Sequence, residues 1–240
     1  MPLAAVTLDG AGTIFDVAEP VGATYARIGA QHGIAIVPDE VEGRFRAALA
    51  TAPPLAFPGG SPTRLADHER AWWYAIVRRA FGPAAAARRF DACFAELFAH
   101  YARPEAWRTF DDVPATLPRL RARGLRLAVV SNFDQRLSGV LEGLGLKQLL
   151  DLVVHSSAVG AAKPDPDIFH GALARLGVSA EQTLHAGDGL VTDVEGARAA
   201  GLRAVLVDRA DRRPVLPAGV ARVGTLAELP ALLADTGEFD

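Results

Sequence analysis

The 240-residue sequence predicts an α/β fold, in which a doubly wound parallel sheet carries an inserted, all-helical cap domain. Two observations favour it. In the second half of the chain, short apolar runs alternate with helical patterns, which is typical of a parallel sheet with helices on both faces. Residues 18–107 instead show apolar residues at helical spacing and no convincing strand. We therefore expect a core domain of residues 1–17 and 108–240 and a cap domain of residues 18–107.

The elements of the core follow from short-range patterns. Five apolar runs predict strands, at residues 4–9, 125–131, 149–155, 183–187 and 202–208. Three patterns that end in glycine, as helix C-termini often do, predict helices at residues 135–145, 167–177 and 193–201. Thr225 and Glu228 have the spacing of a capping box, which predicts a last helix. Residues 112–124 also look helical, although Pro118 would remove an internal hydrogen bond unless it lies in the first turn.

The cap is predicted as four helices, at residues 21–33, 39–50, 65–82 and 86–103. A Pro/Gly-rich stretch separates the second helix from the third. Trp72 and Trp73 are adjacent, so they must point to different sides of the third helix. We expect one of them in the core of the cap and leave open that the other faces a substrate cleft.

The composition of the chain limits the classes of partner that we expect it to bind. The formal net charge of −3 gives no reason to expect nucleic acid or an anionic membrane. We see no signal peptide and no apolar run of the roughly 18 residues that a membrane helix needs. A single cysteine, Cys93, allows no intramolecular disulfide, which fits a cytoplasmic location. Only Lys147 and Lys163 are lysines, so the position of each is informative. The sequence does not predict an oligomeric state.

Polar side chains follow the predicted strands at their carboxyl ends. They are Asp9, Ser131, Asn132, Lys163, Asp188 and Asp193. Because the carboxyl ends of parallel strands lie at one edge of the sheet, we expect these groups to meet there. Carboxylate oxygens suit Mg²⁺. Lysine, serine and the amides of the glycine-rich loop after Asp9 suit phosphate oxygens.

The same residues belong to four short motifs, "DGAGT", "SN", "K-P" and "GDGLVTD". Their order and spacing resemble the four motifs of the haloacid dehalogenase (HAD) superfamily over the whole chain. The helical insert after the first motif resembles the mobile cap of some members. Stretches such as "LRLAVVSNFDQRL" and "KPDPDIF" are similar to a subgroup, the haloacid dehalogenase-like hydrolases called domain-containing protein three. The resemblance implies a Rossmann-like core and a hydrolase that acts on a small phosphorylated or similar molecule.

The resemblance also implies a role for each motif residue. Asp9 would be the nucleophile and would form an aspartyl intermediate. Mg²⁺ would bind Asp9, the backbone carbonyl of Ala11 and Asp188, while Asp193 would complete the acidic site directly or by orienting Lys163. Ser131 and Lys163 would hold the transferring group during catalysis. The substrate-binding residues would be Thr13, Ser131, Asn132 and Lys163.

Ala11 departs from the pattern of the superfamily's phosphatases, which carry an aspartate two residues after the nucleophile. That aspartate protonates the leaving group and later activates water. A metal contact through a backbone carbonyl survives the change to alanine. General acid–base catalysis, which typically increases the rate by about 10²–10⁴-fold, is lost with the carboxylate.

Three functions remain open for a chain with Ala11. The first is a phosphohydrolase for groups that leave without protonation, such as acyl phosphates or phenol-like esters. The second is a catalytically inactive binding protein on the same fold. The third is a 2-haloacid dehalogenase, whose first motif is similar but whose fourth motif lacks the acidic metal site. A phosphonoacetaldehyde hydrolase is excluded, since it needs a cap lysine and this cap contains none.

Overall fold

The computed structural model describes residues 2–234 and contains eight strands. In chain order these are β1 (Ala5–Leu8), β2 (Phe15–Val17), β3 (Trp107–Thr109), β4 (Arg126–Ser131), β5 (Leu152–His155), β6 (Thr183–Gly187), β7 (Arg203–Val207) and β8 (Ala221–Val223). Six of them form a parallel sheet in the order β5-β4-β1-β6-β7-β8. The chain fills one side of β1 first and then crosses to the other. The carboxyl ends of the strands beside such a reversal are where ligands bind in open α/β sheets.

Helices cover both faces of this sheet. Residues 2–234 contain ten α-helices: α1 (Val21–Gln31), α2 (Pro38–Ala50), α3 (Leu65–Phe81), α4 (Phe90–His100), α5 (Val113–Ala122), α6 (Leu137–Gly143), α7 (Ser156–Val159), α8 (Pro166–Leu176), α9 (Gly196–Ala199) and α10 (Leu229–Leu232). Leu117 of α5 and Leu141 of α6 are buried with β1 on one face. Phe169 of α8 is buried with Val130 and Leu206 on the other. The predicted doubly wound core is confirmed.

The cap consists of α1 to α4, which pack around their own apolar core. Tyr25, Ile28, Phe81, Phe94 and Leu97 are buried together there. A two-stranded antiparallel ribbon of β2 and β3 stands where the chain enters and leaves the cap. The sequence did not predict this ribbon, because strands of three residues are too short to show alternation.

Other local differences have physical reasons. The residues around Pro118 stay helical in α5, although proline is its sixth residue, because the apolar side of α5 is fully buried in the core. Residues 193–201 were expected as one helix but divide into a π-helical turn, Leu190–Glu195, and the short α9. The capping box of Thr225 and Glu228 is confirmed. Among the helices of residues 2–234, none combines the length and the hydrophobicity needed to span a membrane.

Candidate active site

Three neighbouring strands deliver the candidate catalytic groups to one edge of the sheet. Asp9 follows β1, Ser131 ends β4 and Asp188 follows β6, and β1 lies between the other two strands. Lys163 reaches the same edge from the segment between α7 and α8. Asp9, Ser131 and Asp188 meet because they lie at the ends of adjacent parallel strands, as the sequence predicts, whereas Lys163 comes from a loop.

Lys163 lies at the centre of the site. Its Nζ is 2.5 Å from Oδ1 of Asp9 and 2.5 Å from Oδ1 of Asp193, and its side chain is only 2% exposed. Burial alone would lower the pKa of Lys163. The charges of Asp193 and Asp9 outweigh that effect and raise the pKa above its usual value. Lys163 is therefore a fixed cation beside the carboxylate of Asp9.

Asp193 uses both of its oxygens within the protein. Oδ1 accepts from Lys163 and lies 3.2 Å from Nε2 of His185, while Oδ2 accepts from the Gly189 amide at 2.8 Å and the Thr192 hydroxyl at 3.1 Å. Burial would raise the pKa of Asp193, but the charge of Lys163 and the His185 contact hold it well below its usual range. This placement favours orienting Lys163 over the direct metal contact that the motif also allows.

The Asp188 carboxyl is repelled by its neighbours. Burial, followed by the charges of Asp9 and Asp193, raises the pKa of Asp188 to about 6. Burial likewise raises the pKa of Asp9, and Lys163 reduces that rise. Gly12, at a φ of +89°, belongs to the loop that covers Asp188: a Cβ there would lie 2.8 Å from the carboxylate. The loop can approach Asp188 this closely only with glycine at position 12.

The three carboxylates fit a divalent cation. Asp9, Asp188 and Asp193 each offer an oxygen, and the three oxygens lie within 4.8 Å of one another. Lys163 offsets one of the three negative charges when all are ionised, so the cluster retains an excess of negative charge. Oxygen donors with excess negative charge are the ligands that Mg²⁺ prefers.

Asn132 makes hydrogen bonds to Lys163 that its motif did not predict. Its Nδ2 donates to the carbonyl of Lys163 at 2.9 Å, and its Oδ1 accepts from the Lys163 amide at 2.7 Å. This pair of bonds ties the loop after β4 to the backbone of Lys163. Asn132 also borders the cavity beside the site, so its contact with substrate stays a prediction.

Thr13 and Ala11 occupy different places on the loop after β1. Thr13 is fully buried, and its hydroxyl has no hydrogen-bond partner in residues 2–234. It does not border the cavity, so the expected contact of its side chain with substrate has no support here. Ala11 does border the cavity that Asp9 also lines, and it packs against the apolar core of the sheet.

A cavity of about 1160 Å³ lies between the cap and the core and opens onto Asp9. Both Trp72 and Trp73 border it. The expectation that one of them belongs to the cap core is confirmed for Trp73, which packs against that core and also borders the cavity, where the two rings meet edge to face with centroids 4.9 Å apart.

Two polar contacts hold the cap on the core beside this cavity. Oε1 of Glu69, on α3, accepts from the Ser157 hydroxyl at 2.5 Å and from the Gln135 amide at 3.1 Å. Nε1 of Trp73 donates to Oδ2 of Asp134 at 2.6 Å. These contacts were not predictable from local sequence patterns, since they join residues more than sixty positions apart. Gln135 and Asp134 lie in the loop that begins at Ser131, so one loop serves both the site and the cap.

A family model and several known proteins are similar to this chain. A family model described as haloacid dehalogenase-like hydrolase matches residues 3–201. The chain is 36% identical over 235 residues to haloacid dehalogenase-like hydrolase domain-containing protein 3 of Bos taurus, a match that covers 97% of this chain and 92% of that protein. It is 38% identical over 164 residues to a phosphoserine phosphatase of Thermus thermophilus, covering 67% of this chain and 63% of the relative.

A solved structure is similar as well. The HAD phosphatase from Thermococcus onnurineus superposes with a TM-score of 0.69 and 28% sequence identity, and the match covers 96% of this chain and 98% of that one. The similarity therefore extends over both the sheet and the helical insert.

Proposed function

Because the chain belongs to the haloacid dehalogenase-like hydrolase family, we propose that it is a Mg²⁺-dependent phosphohydrolase that works through an aspartyl-phosphate on Asp9. The observation that carries the proposal is the arrangement around Lys163. A buried ammonium holds Asp9 on one side and Asp193 on the other, with Asp188 within reach of a shared cation. Its substrate would be a small phosphorylated molecule, and its location would be the cytoplasm.

Asp9 would act as the nucleophile, with an Oδ atom attacking the phosphorus of the substrate. Lys163 keeps its proton at neutral pH and would bind the oxygens of the transferring phosphoryl group. Ser131 would donate its hydroxyl proton to one of those oxygens. Positioning and charge stabilisation of this kind provide most of the catalysis in phosphoryl transfer.

Asp9, Asp188 and the carbonyl of Ala11 would hold Mg²⁺. The ion, when bound, supplies positive charge against the phosphoryl oxygens and the crowded carboxylates. It would also lower the pKa of Asp9 and Asp188, which burial and mutual repulsion raise in its absence.

Ala11 limits the reaction to substrates with good leaving groups. No carboxyl group stands at this position to protonate a departing oxygen, so an acyl phosphate or a phenol-like ester would be cleaved faster than an alkyl phosphate. The same residue supports the second candidate, a catalytically inactive binding protein that keeps the fold and the metal site. Dehalogenation stays third, because the acidic pair of the fourth motif, Asp188 and Asp193, has no part in it.

A panel of phosphate esters, acyl phosphates and 2-haloacids, each with and without Mg²⁺, tests the proposal. We expect Mg²⁺-dependent release of phosphate that is lost in Asp9→Asn and kept in Asp167→Asn, which changes an exposed aspartate on α8. Metal-independent halide release would instead identify a dehalogenase. Absence of turnover across the panel would favour the binding protein.

A further inference from the structure

The cavity between the cap and the core is larger than a phosphate and a short leaving group need. Its volume of about 1160 Å³ exceeds the roughly 300–1,000 Å³ of most ligand pockets. Asp9, Lys163 and Asp188 line it from the core, and most of its other lining residues belong to the cap. A small substrate bound at Asp9 would fill only part of this volume. The volume therefore favours a substrate whose larger part extends away from Asp9.

All three tryptophans of the chain border this cavity. Each indole N–H is already hydrogen-bonded to the protein: Trp72 and Trp107 donate to backbone carbonyls at 2.9 and 3.2 Å, and Trp73 donates to Asp134 at 2.6 Å. Their N–H groups are therefore not available to a ligand. What the three rings offer is apolar, aromatic surface.

Other rings complete an aromatic wall, which we define as Trp72, Trp73, Phe98, Tyr101, Trp107 and Phe133. Several of its members pack against one another: the ring centroids of Trp107 and Phe133 are 5.5 Å apart, and those of Tyr101 and Trp107 are 5.8 Å apart. Ring pairs at such distances and steep angles are favourable, so the orientation of the wall is fixed before a ligand arrives.

The cation that stacks on Phe98, Arg136, is already neutralised. The guanidinium of Arg136 lies 4.1 Å from the centre of the Phe98 ring, but it donates to both carboxylate oxygens of Asp134, whose side chain is fully buried. A second anionic group on the substrate would find no free charge at this part of the wall. The part of the wall around Phe98 therefore matches an aromatic group without a negative charge.

The leaving-group chemistry at Ala11 points the same way by a separate route. With no carboxyl group at position 11 to protonate it, the leaving oxygen would depart as an anion. A phenol, with a pKa of about 10, forms a far more stable anion than an alkyl alcohol. An aryl ester therefore satisfies both ends of the cavity, since its oxygen leaves unprotonated and its rings lie on the wall.

We propose that the substrate is a phosphate monoester of an extended aromatic alcohol, a class of substrate that rests on the phosphohydrolase function above. In the first step an Asp9 oxygen forms a bond to phosphorus, and the bond from phosphorus to the aryl oxygen breaks with its electron pair on that oxygen. The aryloxide leaves and takes a proton from solvent. Water then cleaves the aspartyl-phosphate and releases phosphate.

A series of substrates with leaving groups of similar acidity tests this in the natural protein. We expect kcat/KM for 2-naphthyl phosphate to exceed that for phenyl phosphate by about tenfold or more, mainly through KM, as added apolar contacts in a pocket usually do. In Trp72→Leu the two values should converge. Phe57→Ala removes a half-buried cap aromatic that does not border the cavity, and should keep the ratio. Equal values in the natural protein would overturn the proposal.

Binding separates this proposal from the proposed reaction. Because all three tryptophans border the cavity, their fluorescence reports occupancy by non-hydrolysable phosphonates. We expect 2-naphthylmethylphosphonate to bind about tenfold tighter than benzylphosphonate, with methylphosphonate weakest. This ranking without turnover of any ester would overturn the reaction and confirm the ligand class. Turnover of acetyl phosphate with no gain from added rings in either assay would confirm the reaction and overturn the ligand class.

Discussion

The two ends of the cavity are built from different parts of the chain and are held together by different physical interactions. At the core end, Lys163 and its aspartates are fixed by strand ends and by ion pairs that are almost free of solvent. At the cap end, α3 presents the rings of Trp72 and Trp73, whose indole N–H groups are already hydrogen-bonded to the protein. Charge acts at one end and apolar surface at the other.

This difference separates the reaction from the choice of substrate. A buried charge must be paired, so any change among Asp9, Lys163 and Asp193 affects the groups that remain. Apolar surface is more forgiving, because a ring can be replaced by another apolar group of similar volume at modest cost. The core end should therefore be intolerant of substitution, whereas the cap end should change selectivity without loss of the fold.

Ala11→Asp should give the largest change, because it adds a proton donor at the core end. We expect turnover of alkyl phosphates to rise by up to about 10²–10⁴-fold, with a smaller gain for aryl esters. The measurement is kcat for a matched alkyl and aryl pair. Ala11→Asn supplies the same shape without an acid and should give no such gain. If the natural protein already cleaves both esters at similar high rates, another residue is the acid and this account of Ala11 is wrong.

Lys163→Met should reduce kcat by about 10²–10³-fold, the usual effect of losing one charge-stabilising donor. It also leaves Asp9 and Asp193 without their cation, so stability in denaturant should fall at neutral pH. Lys147→Met is the matched control, since Lys147 is the other lysine of the chain and makes an exposed ion pair with Glu142. Equal values of kcat in the two variants would show that Lys163 does not act in the reaction.

The Glu69 contact connects the two ends and should have an intermediate effect. Glu69→Ala leaves the Ser157 hydroxyl and the Gln135 amide without their acceptor, which should cost about 1–3 kcal/mol of unfolding free energy. Glu69→Gln keeps an acceptor oxygen and should lose less. Chemical denaturation of both variants measures the difference. A loss in Glu69→Gln as large as that in Glu69→Ala would mean that the charge, and not the hydrogen bonds, is required.

Among these variants, Asp188→Asn should have the smallest effect. It should change the free energy of unfolding of the metal-free protein. The pKa of Asp188 is about 6 in the folded protein, against roughly 3.9 for an unperturbed aspartate, so the folded state holds the proton more tightly. The free energy of unfolding therefore falls as pH rises from about 4 to 6 and stays lower above 6. Asparagine does not ionise, so Asp188→Asn removes this loss of unfolding free energy.

We therefore expect Asp188→Asn to be more stable than the natural protein at pH 7 by about 1 kcal/mol, after allowance for solvent screening, and nearly equal to it at pH 4. Denaturation in the presence of a chelator measures both values. A difference of the same size at both pH values would show that repulsion among the carboxylates is not its cause.

The core end was predictable from the sequence because its residues take their places from the chain's local pattern. Asp9 and Asp188 come directly after apolar runs, and the strands that those runs form must end at the same edge of a parallel sheet. Lys163 stood out because lysine is rare in this chain. The reciprocal hydrogen bonds between Asn132 and Lys163 were not predictable, since they depend on how two loops approach.

The cap end was not predictable for a related reason. Whether a residue on a helix faces the cavity depends on how the helices pack, which spacing alone does not fix. Trp72 and Trp73 show this, because neighbours on a helix reach the same space through the length of their side chains. The ribbon of β2 and β3 was missed because its strands are too short for a pattern.

Trapping the covalent intermediate tests the central claim that Asp9 is the nucleophile at the charged end. The protein is mixed with Mg²⁺ and an aryl phosphate, quenched in acid within the first turnover, digested and analysed by mass spectrometry. We predict that the peptide containing Asp9 gains the mass of one phosphoryl group, that borohydride reduction converts Asp9 to homoserine, and that neither change occurs in Asp9→Asn. Rapid turnover with an unmodified Asp9, or with the phosphoryl group on another residue, would contradict the account.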